Sequence, residues 1–163
     1  MESIYVDWGN STVKLTWLRD FQAPRELVTS AHGFCFHEGK VMLVDLDNRG
    51  WDIPGGHVMP GETPEDAFKR EVMEEGYVEG DCFYLGAIEV NHRENPNWDG
   101  LSPYPVVGYQ VFYRMDIHVI YTFKARYESS RRAFIKPCDV KSYYKNWHEI
   151  YKHILAYAQL KGE

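Results

Sequence analysis

Between Gly55 and Val78 a glycine-rich turn runs directly into a short acidic helix, GGHVMPGETPEDAFKREVMEEGYV, and no other stretch constrains the chain as tightly. Thr63 is placed to cap the helix, and Pro64 takes the first helical position, where its missing N–H costs nothing. Asp66, three residues after the cap, completes a capping-box pattern. At about 100° per residue, Glu71, Glu74 and Glu75 project within an arc of roughly 100°. Phe68 and Val72 share the neighbouring face, so one side of the helix can be buried while the carboxylate side borders a cleft.

Three carboxylates on one helical face repel one another, and like charges at i,i+4 destabilise a helix by a few tenths of a kcal/mol. Hard oxygen ligands grouped in this way suit Mg²⁺ or Mn²⁺, which take carboxylates, carbonyls and waters and bridge to substrate phosphates. A solvated acidic face is the bland alternative for a bare REVMEE, because charge runs on helices are common.

The surrounding spacing favours the metal reading. From Gly56 there are five residues to Glu62 and then seven to Arg70-Glu71, followed by Val72, one further residue, and Glu74-Glu75. This pattern resembles the Nudix box of the Nudix hydrolases, G-x5-E-x7-R-E-U-x-E-E-x-G-U with U a bulky aliphatic. Gly56, Glu62, Arg70, Glu71, Val72, Glu74, Glu75 and Val78 stand where the box places them. One position departs: the second glycine of the box falls on Tyr77, and a glycine sits one place early at Gly76. Glycine commonly takes the left-handed conformation that ends a helix, so the shift leaves the shape of the helix exit open. The resemblance implies that Glu71, Glu74 and Glu75 are metal ligands and catalytic, with the Gly56 carbonyl as a further ligand. One of the three, with Glu71 preferred, would orient or deprotonate the attacking water, although the bare sequence does not separate ligand from base. Glu62 and Arg70 are implied to form a structural ion pair bracing the loop against the helix.

The resemblance also implies one carboxylate from a later strand or loop, and the candidates are Glu89, Glu94, Glu128 and Asp139. Glu128 is the only acid between Lys124 and Lys136, amid Arg126, Arg131 and Arg132. It is the preferred extra metal ligand, weighed against an ordinary salt bridge. The three arginines are candidate phosphate contacts, or simply the charges of a solvated loop. The seven histidines show no paired ligand spacing.

A length of 163 residues fits a single domain, here taken as 1–163, with a core of useful size. The hydrophobic fraction of 44% and aromatic fraction of 15% are those of a packed globular chain. A formal net charge of −6 argues against a dedicated nucleic-acid or membrane-surface binder. Cys35, Cys82 and Cys138 are odd in number and lack a CxxC, which predicts buried free thiols in a reducing compartment. MESIYVDWGN shows neither a basic start nor an apolar run, and no run of 18 apolar residues occurs. The expected compartment is the cytoplasm.

In chain order, Ser11–Leu18 alternates like a half-exposed strand, within a first 29 residues that say little else. Strands are expected at about 30–37 and 40–46 around a turn at Glu38-Gly39. Trp51 and Ile53 enter the box as supporting residues or as simple core. Cys82–Val90 reads as a strand, His92–Tyr104 as a long loop of the kind that often binds or covers ligands, and about 106–114 and 117–124 as two more strands. Arg126–Pro137 reads as a loop. Asp139 would cap a last amphipathic helix carrying Val140, Tyr144, Trp147, Tyr151, Ile154, Leu155 and Ala158. This order fits an α/β fold, an α/β/α sandwich around a mixed β-sheet, and the Nudix resemblance implies the same fold.

The implied activity is Mg²⁺-dependent (or Mn²⁺-dependent) hydrolysis of a nucleoside diphosphate linked to another moiety. The segment GETPEDAFKREVMEE looks most like MutT-type members acting on (deoxy)nucleoside triphosphates or oxidised nucleotides, so the expected partner is a small nucleotide. ADP-ribose-type nucleotide sugars and RNA 5′-pyrophosphate ends are the enzymatic alternatives. A non-catalytic nucleotide- or metabolite-binding module is the alternative of another class. Intact Glu71, Glu74 and Glu75 argue against it, because binding alone has no chemical need of all three.

Overall fold

The computed structural model describes residues 2–9, 11–95, 98, 100 and 104–162. Alternating side chains make β1 (Glu2–Trp8) and β2 (Ser11–Arg19) an antiparallel pair at one margin of the sheet. β3 (Val28–His37) and β4 (Lys40–Leu46) turn over Glu38-Gly39, both with positive φ, the signature of a two-residue hairpin turn. Two short strands, β5 (Gly50–Asp52) and β6 (Gly55–His57), lead into helix α1 (Pro64–Gly76). The chain returns through β7 (Val78–Asn91), β8 (Val107–Ile120) and β9 (Ser129–Ile135). It ends in α2 (Val140–Tyr143) and α3 (Glu149–Lys161).

The sheet order is β1-β2-β7-β8-β3-β4-β5, with β6 paired to β3 and β9 to β4. β3 and β8 run parallel while the other pairs are antiparallel, so the sheet is mixed. Two cores cover its faces. Phe68 and Val72 of α1 pack with Ala31, Cys35, Met42, Val44 and Met115 on one side. Ile150, Ile154, Leu155 and Ala158 of α3 pack with Phe34, Phe36, Leu43, Phe112 and Ile53 on the other. The expected α/β/α arrangement is present.

Several element readings are corrected. The segments expected as two strands, about 106–114 and 117–124, form one strand, Val107–Ile120. Asp116 interrupts the apolar pattern without interrupting the ladder, because its side chain is held by Arg114 Nε at 2.7 Å. The expected loop Arg126–Pro137 contains β9, whose polar front half is accommodated by ion pairing: Arg131 Nη2 lies 2.6 Å from Asp45 of β4. The single C-terminal helix is broken between Tyr143 and Glu149. Asp139 makes no side-chain cap, and Trp147 instead stacks on Tyr151 from the intervening loop. β1 lies in a segment for which no strand is expected, and its Ile4 and Val6 pack against the α3 core. The three cysteines are free, but Cys82 is half-buried and Cys138 exposed, so only Cys35 is the buried thiol expected. The long His92–Tyr104 loop lies partly outside the described residues.

Candidate active site

The start of α1 is built as its residues dictate. Thr63 accepts the Asp66 N–H on its hydroxyl at 3.1 Å, and Pro64 opens the helix. The loop before it is braced by Glu62, which accepts the Met59 N–H at 2.9 Å and receives two Arg70 donors, Nε at 2.8 Å and Nη2 at 3.0 Å. This bidentate contact, with Arg70 as the leading cause, holds the Glu62 carboxyl down to about 2. Arg70 Nη2 also donates to the His57 carbonyl at 3.1 Å. One guanidinium therefore ties loop to helix.

Arg70 also reaches the acid face, with Nη1 2.9 Å from Glu71 Oε1 and 3.6 Å from Glu74 Oε2. Glu71 stands directly over the box loop: a Cβ on Gly56 would come within 2.7 Å of its carboxylate. Only glycine lets the loop approach that closely. Burial raises the Glu71 carboxyl against the pull of Arg70, and the Glu74 and Glu128 charges raise it further. Glu75 lies deeper, with 2% of its surface exposed. Its Oε1 accepts the Gly55 N–H at 3.0 Å, while Oε2 is buried without a hydrogen-bond partner. Burial, reinforced by Glu71 and Asp52, pushes its carboxyl up to about 8 despite the Gly55 N–H.

That orphaned oxygen is the structural test of the metal reading. An unsatisfied buried acceptor costs about 1–3 kcal/mol and more when charged, and a divalent ion between Glu75, Glu71 and the adjoining loop would satisfy it. Hard carboxylate donors beside a backbone-lined loop fit Mg²⁺ or Mn²⁺. Among the described residues no three acidic, His or Cys side chains already converge as a metal cluster.

The other sequence candidates fall in different places. Glu128 precedes β9, and its charge is felt by Glu71. Glu89 receives the Tyr109 hydroxyl at 3.4 Å and Glu94 that of Tyr5 at 2.6 Å, so both have other partners. Asp139 lies in the 3-10 turn Pro137–Asp139. Arg131 pairs with Asp45 and lies 5.0 Å over the Trp51 ring. Arg132 donates to the carbonyls of Gly76 at 2.7 Å, Tyr77 at 3.3 Å and Tyr121 at 2.8 Å. Arg126 is exposed beside Tyr77 and Tyr127. The three arginines thus do not form one cluster. Ile53 is core, and Trp51 packs edge-on against Tyr143 at 5.9 Å.

Two cavities flank the box loop on the α3 face of the sheet. One, of about 280 Å³, is lined by Trp8, Ser30, His57, His92, Tyr104 and Gln110 among others. His57 and Tyr104 stack at its rim, with centroids 5.9 Å apart. The other, of about 180 Å³, is lined by His32, Arg49, Asp52, Gly55, Tyr144 and Tyr151 with Gln110 again. Trp8 lies in β1, outside the strands expected, while Tyr144 and Tyr151 belong to the C-terminal stripe whose Tyr and Trp residues suit either core packing or a base-stacking surface.

A mixed sheet of this topology, entered by a glycine loop and backed by an acid-faced helix, is an α/β scaffold that sets its carboxylates at the loop–helix junction. The chain belongs to the Nudix family: the NUDIX domain model matches residues 28–150. It is 34% identical over 91 residues to YtkD of Bacillus subtilis (strain 168), named as a candidate 8-oxo-dGTP diphosphatase. That match spans 55% of this chain and 56% of the relative, about half of each. In fold it resembles the Bacillus subtilis pyrophosphohydrolase BsRppH, with a TM-score of 0.74 and 22% identity over 99% of this chain and 98% of that one. It also resembles the NUDIX domain of Shewanella oneidensis NrtR, solved with ADP ribose, with a TM-score of 0.58 and 18% identity over 88% and 91%.

Proposed function

We propose that the chain is a single-domain, metal-dependent pyrophosphohydrolase that cleaves a nucleoside triphosphate, the oxidised nucleotides included, into a nucleoside monophosphate and pyrophosphate. The observation that carries this is the partnerless buried oxygen of Glu75, set beside Glu71 where the loop carries no Cβ to block approach. When bound, Mg²⁺ (or Mn²⁺) supplies positive charge to the phosphate oxygens and lowers the pKa of water. Glu71, Glu74, Glu75 and the Gly56 carbonyl would hold it, with Glu128 as the further carboxylate. Glu71 is the group assigned to take the proton of the attacking water, worth typically 10²–10⁴-fold. Water adds to one phosphorus as the bridging oxygen leaves with the electron pair of its P–O bond. Arg70, held by Glu62, keeps the acid helix and loop in register, and exposed Arg126 and Arg131 are the remaining candidates for phosphate contact.

The cavity beside His57 supports a nucleotide as the organic arm. Ligand sites pair apolar and aromatic walls with a few polar groups. Here Trp8, Tyr104 and His57 offer faces for a base, with Ser30 and Gln110 to bond its edge. The names of YtkD and BsRppH agree with this chemistry for those proteins. The cytoplasm, where nucleotides are plentiful, is the proposed compartment, and no helix is long and apolar enough to cross a membrane among the described residues.

The test is a hydrolysis screen with Mg²⁺ over ordinary and oxidised nucleoside triphosphates, nucleotide sugars and 5′-triphosphorylated RNA, with products identified by mass. Monophosphate plus pyrophosphate from a free nucleotide is expected. Two monophosphate products from ADP-ribose, or preference for RNA, would move the substrate. No turnover of any of them would leave a binding module.

A further inference from the structure

The departure from the box at Tyr77 is where this chain differs most plainly from the pattern it otherwise matches, and α1 does not simply end one residue early. Gly76 is still helical, and a Cβ there would run into the Met42 side-chain end. Tyr77 itself takes the left-handed cap conformation, φ 57° and ψ 44°. A residue with a Cβ pays roughly 1–2 kcal/mol to sit there, so the tyrosine must supply something that glycine lacks.

Its side chain reaches away from the helix to the segment between β8 and β9. The ring packs edge-on against Phe123, with centroids 5.1 Å apart, and lies 6.4 Å from Tyr127. The hydroxyl accepts the Arg126 N–H at 3.0 Å. The Tyr77 carbonyl accepts the Tyr121 N–H at 2.8 Å. The segment that Tyr77 grips is the one delivering Glu128, with Ala125 in a left-handed turn at φ 49°. Glu128 is followed at once by Ser129, whose hydroxyl donates to the Glu75 carbonyl at 2.6 Å. The Glu128 backbone oxygen in turn accepts the Asp47 N–H at 2.7 Å. The chain before Glu128 is thus tied to the helix exit by Tyr77, with Arg132, over the Phe123 ring at 5.6 Å and on the Tyr121 carbonyl, as a second tie.

We propose that Tyr77 is a positioning residue: through its hydroxyl and ring it holds the 123–127 segment so that Glu128 faces the carboxylates of α1. This rests on the pyrophosphohydrolase reading and adds to it the device that sets the later carboxylate. A tyrosine in the cap couples the helix exit to the Glu128 loop, where a glycine could end the helix but touch nothing.

The test compares Tyr77→Phe, Glu128→Gln and their combination on the best substrate from the screen. Tyr77→Phe keeps the ring and removes one hydrogen bond, so kcat should fall about fivefold with KM nearly unchanged and the melting temperature little altered. In the Glu128→Gln background the same change should cost almost nothing, because its route to the chemistry is gone. Two readouts are independent of turnover. Mn²⁺ titration followed by EPR should show weaker binding in Tyr77→Phe, and amide exchange should quicken at residues 124–128. Tyr77→Gly should show both effects more strongly while still ending the helix. Unchanged kcat in Tyr77→Phe, or the same loss with and without Glu128, overturns the inference and leaves the proposed activity standing. A wild-type chain without turnover overturns the activity and the inference together.

Discussion

Glu75 is an acid kept where its charge is costly, with one oxygen on the Gly55 N–H and the other on nothing. Its carboxyl is raised to about 8, well above its unfolded value of 4.5. The folded state then holds a proton that the unfolded chain releases, so without metal the contribution of Glu75 to stability is full below pH 4.5 and is lost as pH rises through about 8. A thermal melt series in chelator should show this fall. Saturating Mg²⁺ should flatten it, since bound cation replaces the proton, and Glu75→Gln should flatten it without metal. A metal-free melting temperature that climbs between pH 5 and 8 would show that Glu75 is charged in the free protein. Glu62 sits at the opposite extreme, held down to about 2 chiefly by Arg70. Glu62→Gln removes the charge facing that guanidinium, so Arg70 should turn further onto Glu71 and the loop should loosen. The expected result is a lower melting temperature together with a turnover loss of roughly tenfold or more from misplacement. Loss of turnover with an unaltered melt would make Glu62 part of the chemistry instead of the frame.

Among the elements, β9 and the exit of α1 are joined by Arg132, which donates to the carbonyls of Gly76, Tyr77 and Tyr121. Charged hydrogen bonds of this kind contribute about 1.5–3 kcal/mol each where they are sheltered. Arg132→Met should therefore destabilise the chain by about 2 kcal/mol in a denaturant melt. If the arginine instead held phosphate, KM would rise with stability unchanged. This junction also marks the limit of what residue patterns could tell. Capping, proline placement and carboxylate spacing are local, and α1 stands as those signals indicate, with the Glu62–Arg70 pair that the Nudix resemblance implies beside it. β9 carries Ser129, Arg131 and Arg132 in its polar front half, so its strand character comes from partners distant in sequence, Asp45 and the end of α1. No periodicity records such partners. The C-terminal apolar spacing did record burial, since Tyr144, Ile150, Ile154 and Ala158 all enter the core. It could not record that Tyr144 and Trp147 reach it from a loop, because a stripe at helical spacing looks the same whether or not the backbone between is wound.

At the scale of the whole molecule, two cores clamp a mixed sheet between helices, and the site lies where the box loop, α1 and the Glu128 segment meet. Its cavities lie on the opposite face of the sheet from the apolar side of α1, so residues distant in sequence, Trp8, His57, Gln110 and Tyr144, came together only through topology. Glu74 allows a test that separates metal binding from this architecture. It lies on the rim of the acid face, partly exposed and 3.6 Å from Arg70, with no part in either core. Glu74→Gln preserves volume, relieves like-charge crowding with Glu71 and gives up the 3.6 Å contact with Arg70, two small opposing effects, so the metal-free fold should change by only a few tenths of a kcal/mol. A ligand that binds the native state alone stabilises it by RT ln(1 + [L]/Kd). Mg²⁺ should accordingly raise the melting temperature of the wild type in a concentration-dependent way, and raise that of Glu74→Gln much less. Turnover should fall on the order of 10²-fold in the variant, and chelator should abolish it in the wild type, with recovery on adding Mg²⁺ or Mn²⁺. Equal Mg²⁺ stabilisation of both proteins would remove Glu74 from the ligand set, and full wild-type turnover in chelator would remove the metal from the reaction.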